Sequence, residues 1–164
     1  EGNRGNVYNL LNQVASGRFL MMGNGKNKKS MAYVENVAAF IEHSLFFSTG
    51  VHIYNYIDKP DLDMNSLISK ARKILFGKNN VGTRIPAFFG IAIGYFADFV
   101  AKILSKNLTI SRIRIKKFLS TTQFNSSIDK TNFIPPVTLE EGLERTIRYE
   151  FIEDNSNERT FITE

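Results

Sequence analysis

Hydrophobic residues recur at helical spacing in five stretches of the chain, and these stretches predict its main helices. In the first stretch, Val7, Leu11 and Val14 share one face of a helix. Gly17 follows it as a stop signal. The predicted helices span residues 6–16, 34–47, 63–76, 86–104 and 138–151.

Polar residues at the beginning of these helices are predicted to cap them. Asp63 stands before the third helix, and Thr138 with Glu141 has the spacing of a capping box. Asn36 is placed to cap the second helix. Asn6 is predicted to cap the first helix because asparagine is a preferred cap residue, with a hydrogen bond to a ligand as the alternative.

The predicted strands are short. Residues 51–57 alternate β-branched and aromatic side chains, which predicts a strand that Lys59-Pro60 ends. Two further apolar runs lie on either side of Gly23-Asn24-Gly25, a tight-turn sequence that needs positive φ, and residues 123–127 are another candidate strand. The pattern therefore predicts a helix-rich α/β fold with small sheet pieces and about five helices.

Residues 86–104 form the most apolar part of the chain, and their length approaches that of a membrane span. Asp98 and Lys102 lie within this stretch, and a charge near the middle of a bilayer costs at least about 2.5 kcal/mol. We therefore predict a buried or interfacial helix and no transmembrane span.

Charge is unevenly distributed along the chain. Residues 1–138 contain 18 basic and 8 acidic side chains, whereas residues 139–164 contain 3 and 8. The body is predicted to bind anionic partners, and the acidic tail at 152–164 is predicted to be disordered. The chain has no cysteine and two histidines, so a metal site made of thiolates or histidines is not expected. The absence of cysteine also favours a cytoplasmic location.

Basic side chains form two clusters without an acidic residue among them. The first follows the glycine turn, and the second lies within residues 106–117, where a helix from residue 111 would place Arg112 and Lys116 on one face. The clusters consist of Lys26, Lys28, Lys29, Lys106, Arg112, Arg114, Lys116 and Lys117. A solvated surface and arginines that bind phosphate both remain open. No phosphate loop, nucleophile elbow or paired carboxylates are recognisable.

Several motifs occur in an order that resembles the C-terminal lobe of extended short-chain dehydrogenases/reductases, specifically the nucleotide-sugar epimerases and dehydratases. Lys29-Ser-Met-Ala-Tyr-Val-Glu-Asn-Val-Ala is similar to the family's Arg-Asp-Phe-Ile-Tyr-Val-x-Asp-Val-Ala, and Tyr54-Asn55 resembles its Tyr-Asn-x-Gly. Phe133-Ile-Pro-Pro and Leu139-Glu-Glu-Gly-Leu resemble its closing pattern. The resemblance implies a substrate-binding lobe over residues 1–151, with the Rossmann half absent from this sequence.

The resemblance also implies which residues bind a nucleotide diphosphate-sugar. Asn6 and Val7 match residues near the diphosphate, and Leu20 and Met22 match the strand that packs the base. Lys29 matches one phosphate-binding arginine, although a lysine lacks the bidentate fork. Arg114, or Arg112 beside it, matches the second phosphate-binding arginine.

The resemblance further implies an NAD-dependent enzyme, most simply a sugar 4-epimerase, with a dehydratase or reductase as alternatives. The catalytic residues and the NAD site would belong to the other half, so this chain alone is expected to be inactive. Apolar surface that would face that half, on residues 34–47 and 51–57, favours a homo-oligomer when it is uncovered. A basic module for nucleic acid or for an anionic membrane surface is the alternative of another class; aromatic residues are not interleaved with the lysines, which disfavours nucleic acid.

Overall fold

The computed structural model describes residues 2–104, 112–155, 157 and 161. The helices are α1 (Asn6–Ala15), α2 (Val34–Ser44), α3 (Met64–Phe76), α4 (Ala87–Leu104), α5 (Arg112–Leu119) and α6 (Leu139–Phe151), with a 3-10 turn at Ile128–Thr131. The strands are β1 (Met21–Met22), β2 (Lys28–Met31), β3 (Asp58–Asp63) and β4 (Arg84–Ile85). The fold is α/β and rich in helix, as the sequence predicts.

Helix α3 is the centre of the hydrophobic core. Its residues Leu67, Ile68 and Ala71 are almost completely buried, and it packs against α1 and α6. The predicted helix signals are confirmed at both ends: the Asp63 carboxylate accepts a hydrogen bond from the Ser66 amide at 2.7 Å, and Gly77 adopts φ 69°. Cap, periodicity and stop signal agree here, so the sequence predicts this helix almost to the residue.

Two small sheets connect the core to the rest of the chain. Strand β1 pairs in parallel with β4, which places Met22 opposite Ile85. Strand β2 pairs in antiparallel fashion with β3, and Lys29 lies opposite Leu62. Lys29 is also bridged to Thr122, so β2 lies between β3 and the segment that follows α5.

Helices α4 and α5 form an antiparallel pair beside these sheets. A Cβ atom added at Gly94 would lie 2.8 Å from the Cα of Arg112, and one at Gly23 would contact both Ala87 and Leu119. The first turn of α5 is therefore close to the middle of α4, and its last turn is close to the start of α4. No helix in the described residues combines the length and the hydrophobicity needed to cross a bilayer.

Two of the predicted helix caps are wrong. Gly5 occupies the N-cap position of α1 without a side-chain cap, and Asn6 is the first helical residue. Helix α2 begins at Val34, two residues before Asn36. Asn36 is 0% exposed and lies within the helix, because a buried carboxylate and a distant backbone segment supply partners that a solvent-exposed cap would lack.

The predicted strand over 51–57 is also wrong, because the strand begins only at Asp58 and continues through Pro60 to Asp63. Val51 and Ile53 are 91% and 87% exposed, whereas Tyr54 and Tyr56 pack against Phe40. The alternating residues of this segment therefore face either solvent or an aromatic cluster, and the segment is not paired with a strand among the described residues. Residues 123–127 form no strand either; Thr122 makes an isolated bridge.

The end of the chain follows the predicted helix more closely. The Thr138 hydroxyl accepts a hydrogen bond from the Glu141 amide at 3.2 Å, which confirms that Thr138 caps α6. The Glu141 carboxylate instead binds Arg145, one turn along the helix. Within the predicted tail, Phe161 pairs with Asn3 near the start of the chain, while residues 156, 158–160 and 162–164 lie outside the described part.

Candidate substrate-binding site

The first basic cluster meets the described part of the second cluster at the C-terminal end of α5, and Lys106 lies outside the described residues. The turn before β2 is held there by Asn27, whose side-chain amide donates to the Phe118 carbonyl at 2.7 Å. The Thr122 amide donates to the Lys28 carbonyl at 2.9 Å, so the first cluster is joined to the second through backbone pairing. Lys26 and Lys28 point into solvent beside this junction.

The ammonium group of Lys29 is directed at the end of α5. Its Nζ atom donates to the carbonyl oxygens of Lys117 and Ser120 at 2.8 and 2.7 Å, and to the Thr122 hydroxyl at 3.2 Å. An ammonium group has three donors, so all of them have acceptors within the protein. Partial burial lowers the pKa of Lys29 below its usual value. In this structure Lys29 therefore neutralises the negative end of the α5 dipole.

Replacing Lys29 by methionine is expected to destabilise the protein by about 1–2 kcal/mol, because three carbonyl and hydroxyl acceptors lose a charged donor. Chemical denaturation measures the loss, and hydrogen exchange should show it in α5. Lys28→Met, on the same strand and exposed, is the matched control and should change stability by less than about 0.5 kcal/mol. A Lys29→Met protein with unchanged stability and weakened substrate binding would instead assign Lys29 to the phosphate.

Arg112 begins α5 and is held against α4. Its amide donates to the Asp98 carboxylate at 3.3 Å, and its guanidinium lies over the Tyr95 ring, 5.0 Å from the centroid. The guanidinium also donates to the Tyr95 hydroxyl at 3.2 Å. This hydrogen bond and the positive charge of Arg112 lower the pKa of Tyr95, and the same hydrogen bond raises the pKa of Arg112. The planar group is thus preoriented and partly exposed, as a ligand for an anion must be.

The side chain of Arg114 lies outside the described part of the chain. Its backbone belongs to α5, three residues before Lys117, which corresponds to about 4.5 Å along the helix axis. Lys29, which binds the carbonyl of Lys117, and both predicted arginines are therefore carried by or attached to the same short helix.

Glycines in α4 bring β1 to the same place. A Cβ atom at Gly90 would lie 2.5 Å from the sulfur of Met22, and Gly94 lies one turn further along against Arg112. Met22 and Arg112 therefore contact α4 about one turn apart, and Leu20 is exposed immediately before strand β1. The structure brings four of the predicted site residues to one region: Leu20, Met22, Lys29 and Arg112.

Asn6 and Val7 are positioned by a different part of the fold. Both are exposed at the first turn of α1, and α1 packs against α3 and α6. The structure therefore leaves their predicted contact with the diphosphate as a prediction. The side chain of Asn6 does not cap α1, which is compatible with the alternative that it binds a ligand.

Asp61, which the sequence motifs did not single out, lies next to the basic region because it binds Ser30, the neighbour of Lys29. The Asp61 side chain is 3% exposed and accepts hydrogen bonds from Lys59 and Gln123 at 2.7 Å and from Ser30 at 2.8 Å. Desolvation raises the pKa of Asp61, but the hydrogen bonds from Lys59, Gln123 and Ser30 outweigh it and lower the pKa overall. In the sequence, the one feature that indicated a polar contact at this place was Ser30, which is next to Lys29.

An aromatic and apolar surface on the other side of α2 is separate from this site. Its exposed residues are Val34, Ile41, Leu45, Phe46, Val51, Ile53 and Ile134. An open hollow of about 400 Å³ lies here, lined by His43, Phe46 and Phe133 among others and by none of the predicted site residues. The exposure matches the expectation for residues 34–47 and 51–57, and oligomer formation stays a prediction.

Comparison with known proteins relates the whole chain to an epimerase. It is 44% identical over 166 residues to N-acetyl-alpha-D-glucosaminyl-diphospho-ditrans,octacis-undecaprenol 4-epimerase from Escherichia coli O157:H7. This similarity confirms the resemblance to the epimerases that the sequence motifs indicate. The chain is covered completely by this match but spans only 50% of the length of the epimerase, namely its C-terminal half. No family model matches the sequence.

A solved structure supports the same fold. The crystal structure of gox2253 superposes on 87% of this chain with a TM-score of 0.60, at 12% sequence identity. The match covers 42% of gox2253, so there too the fold corresponds to part of a longer chain.

Proposed function

We propose that the full-length protein is a sugar 4-epimerase, and that this chain binds the diphosphate and its carrier. The observation that carries the proposal is the 44% identity, over the entire chain, to a 4-epimerase whose name gives its substrate as a sugar joined through a diphosphate to a polyprenol. Among the family's reactions, this relative favours 4-epimerisation over dehydration or reduction.

The geometry supports diphosphate binding at α5. Arg112 is fixed at the start of the helix, and Lys116 is exposed one turn further on the same side. A diphosphate diester carries about two negative charges, and a charge-assisted bond from a planar guanidinium is favourable because it holds two oxygens at once. Met22 lies about a turn of α4 away and supplies an apolar wall.

The sugar diphosphate is common to two candidate carriers, a nucleotide and a polyprenol. The sequence motifs point to a nucleotide carrier, whereas the relative acts on a polyprenol carrier. The exposed apolar face of α4 next to Arg112 supports a lipid carrier, because a nucleotide base needs polar partners that this face does not contain.

NAD belongs to the proposal through the family. In the described residues, the sheets are two-stranded and no glycine-rich turn connects a strand to a helix, so this chain does not fit NAD. We assign NAD to the other half of the full-length protein. The contribution of this chain would be to hold and orient the diphosphate.

Assays of the full-length protein test the proposal with two substrates, UDP-N-acetylglucosamine and N-acetylglucosaminyl-diphospho-undecaprenol, and detect the 4-epimer. Conversion of at least one supports the proposal, and its identity decides the carrier. Conversion of neither, with bound NAD present, would contradict it.

Arg112→Gln is expected to raise KM for the converted substrate about tenfold with little change in kcat, because a charged bond to the diphosphate is lost. The KM of the Arg112→Lys protein should lie between those of the parent protein and the Arg112→Gln protein. Lys73→Gln, an exposed lysine on the distant helix α3, is the control. A KM of the Arg112→Gln protein equal to that of the control would exclude this residue from the site.

A further inference from the structure

Helix α4 exposes a continuous apolar face. Its exposed hydrophobic residues recur at intervals of three and four, so they lie on one side of the helix. They are Phe88, Phe89, Ile93, Phe96, Phe99 and Ile103, between 47% and 69% exposed. Ala92 on the same side is also exposed, and none of these residues is charged. Eighteen residues correspond to about 27 Å of helix lying along the surface.

The opposite side of α4 is fixed by close packing. Gly90 and Gly94 are buried there against Met22 and against the backbone of Arg112. Asp98 is half-buried on this flank and accepts the Arg112 amide. The apolar face is therefore held outward by the fold, and a small rotation of the helix cannot hide it.

Basic groups lie along the edge of this face. Arg112 is anchored to Tyr95, which is exposed at the border of the apolar residues, and the charge of Lys116 also acts on Tyr95. On α5, Ile113 is exposed on the side that carries Lys116 and Lys117. No acidic side chain forms an ion pair with Arg112, Lys116 or Lys117 among the described residues.

Charge argues against a second copy of the chain as the partner. Pairing two α4 faces would bring two basic edges together, which costs free energy in a low-dielectric contact. The apolar surface around α2 has a different character: Glu35 and Arg145 pair at its border. That surface is the better candidate for contact with the other half of the protein.

We propose that the exposed face of α4 and the basic side of α5 bind the surface of an anionic lipid bilayer. Phenylalanines on an amphipathic helix enter the interface between headgroups and acyl chains, while lysine and arginine bind lipid phosphates. The helix would lie in the plane of the membrane. This inference concerns the same face of α4 and α5 as the proposed carrier site, but its test is separate, because binding to vesicles needs neither catalysis nor NAD.

Sedimentation of the full-length protein with vesicles tests the inference. Vesicles of phosphatidylcholine with 30% phosphatidylglycerol should bind it, and vesicles of phosphatidylcholine alone should bind at least tenfold more weakly. Raising the salt concentration from 50 to 300 mM should weaken binding to the anionic vesicles. Equal binding to both lipids at both salt concentrations would overturn the inference.

Paired variants identify the surface. Phe96→Ser with Phe99→Ser should reduce binding at least tenfold, and Lys116→Gln with Lys117→Gln should reduce it about fivefold for each lysine removed. Phe46→Ser with Ile53→Ser removes apolar residues from the surface around α2 that are even more exposed in this chain, and Lys73→Gln with Lys78→Gln removes exposed lysines from the region of α3. Both control pairs should bind like the parent protein, and circular dichroism checks that all variants fold.

The sequence contains no tryptophan, so Phe99→Trp provides a local reporter. Its fluorescence should shift to shorter wavelength with anionic vesicles, whereas that of Phe46→Trp should not. An equal loss of binding in the α2 control pair would overturn the inference. A dimer of the parent protein would also overturn the inference if Phe96→Ser with Phe99→Ser converts it to a monomer, because α4 would then be covered by a second copy. Light scattering measures the oligomeric state.

Discussion

Replacing Asn36 by aspartate is expected to destabilise the protein by about 4 kcal/mol, because it buries a second carboxylate beside that of Asp58. Asn36 is 0% exposed and donates to the Asp58 carboxylate at 3.0 Å and to the Val137 carbonyl at 2.7 Å. It also accepts the Val137 amide at 3.0 Å. Aspartate would keep the last of these bonds and place oxygen against oxygen in the other two. Urea denaturation measures the loss.

Two further variants separate this electrostatic effect from a general loss of packing. Asn12→Asp, at an exposed position of α1, should change stability by less than about 0.5 kcal/mol. Adding Asp58→Asn to Asn36→Asp should restore part of the stability, because one donor again lies between the two side chains. A double variant no more stable than Asn36→Asp would disprove the pairing of these residues.

Replacing Gly142 by alanine is expected to destabilise the protein by about 2–3 kcal/mol, although alanine favours helix by about 1 kcal/mol. A Cβ atom at this position would lie 2.5 Å from Cγ of Tyr33 and within 2.9 Å of both neighbouring ring carbons. The Tyr33 ring is 5% exposed, so the ring and α6 must move apart. Thermal or urea denaturation measures the effect.

Gly90→Ala is the matched control in another helix. Its added Cβ atom meets the sulfur of Met22, the flexible end of a side chain that shifts at little cost. We expect Gly90→Ala to be neutral or slightly stabilising because of the better helix propensity. Equal stability changes in the two variants would show that the ring of Tyr33 does not require glycine at 142.

The comparison of α2 with α3 shows why helix positions were easier to predict than polar contacts. Asp63 caps α3 through a local hydrogen bond to Ser66, three residues away, and the sequence predicts it correctly. Asn36 has the same preference for caps, but its partners are 22 and 101 residues away in the chain. No local pattern contains that information, so the predicted cap was wrong.

Lys29 shows the same limit at the candidate site. Its position in a basic turn without acids, and its match to a family arginine, predicted that Lys29 binds a phosphate. The fold instead places the C-terminal carbonyls of α5 around it, some 90 residues further along the chain. The backbone segments of the two clusters lie side by side, and Arg112 has an exposed hydrogen bond to the Tyr95 side chain.

The sequence by itself determined the helices, the glycine turn, the resemblance to part of an epimerase and the two basic clusters. These features depend on periodicity, on local capping and on residue order, which are properties of neighbours in the chain. Only the tertiary structure decided that Tyr54 and Tyr56 pack against Phe40 and do not belong to a strand. It also decided which groups surround Asn36 and Lys29, and which side of α4 remains exposed. Those outcomes depend on contacts between residues that are distant in the chain, because burial and charge compensation are settled only when the helices pack.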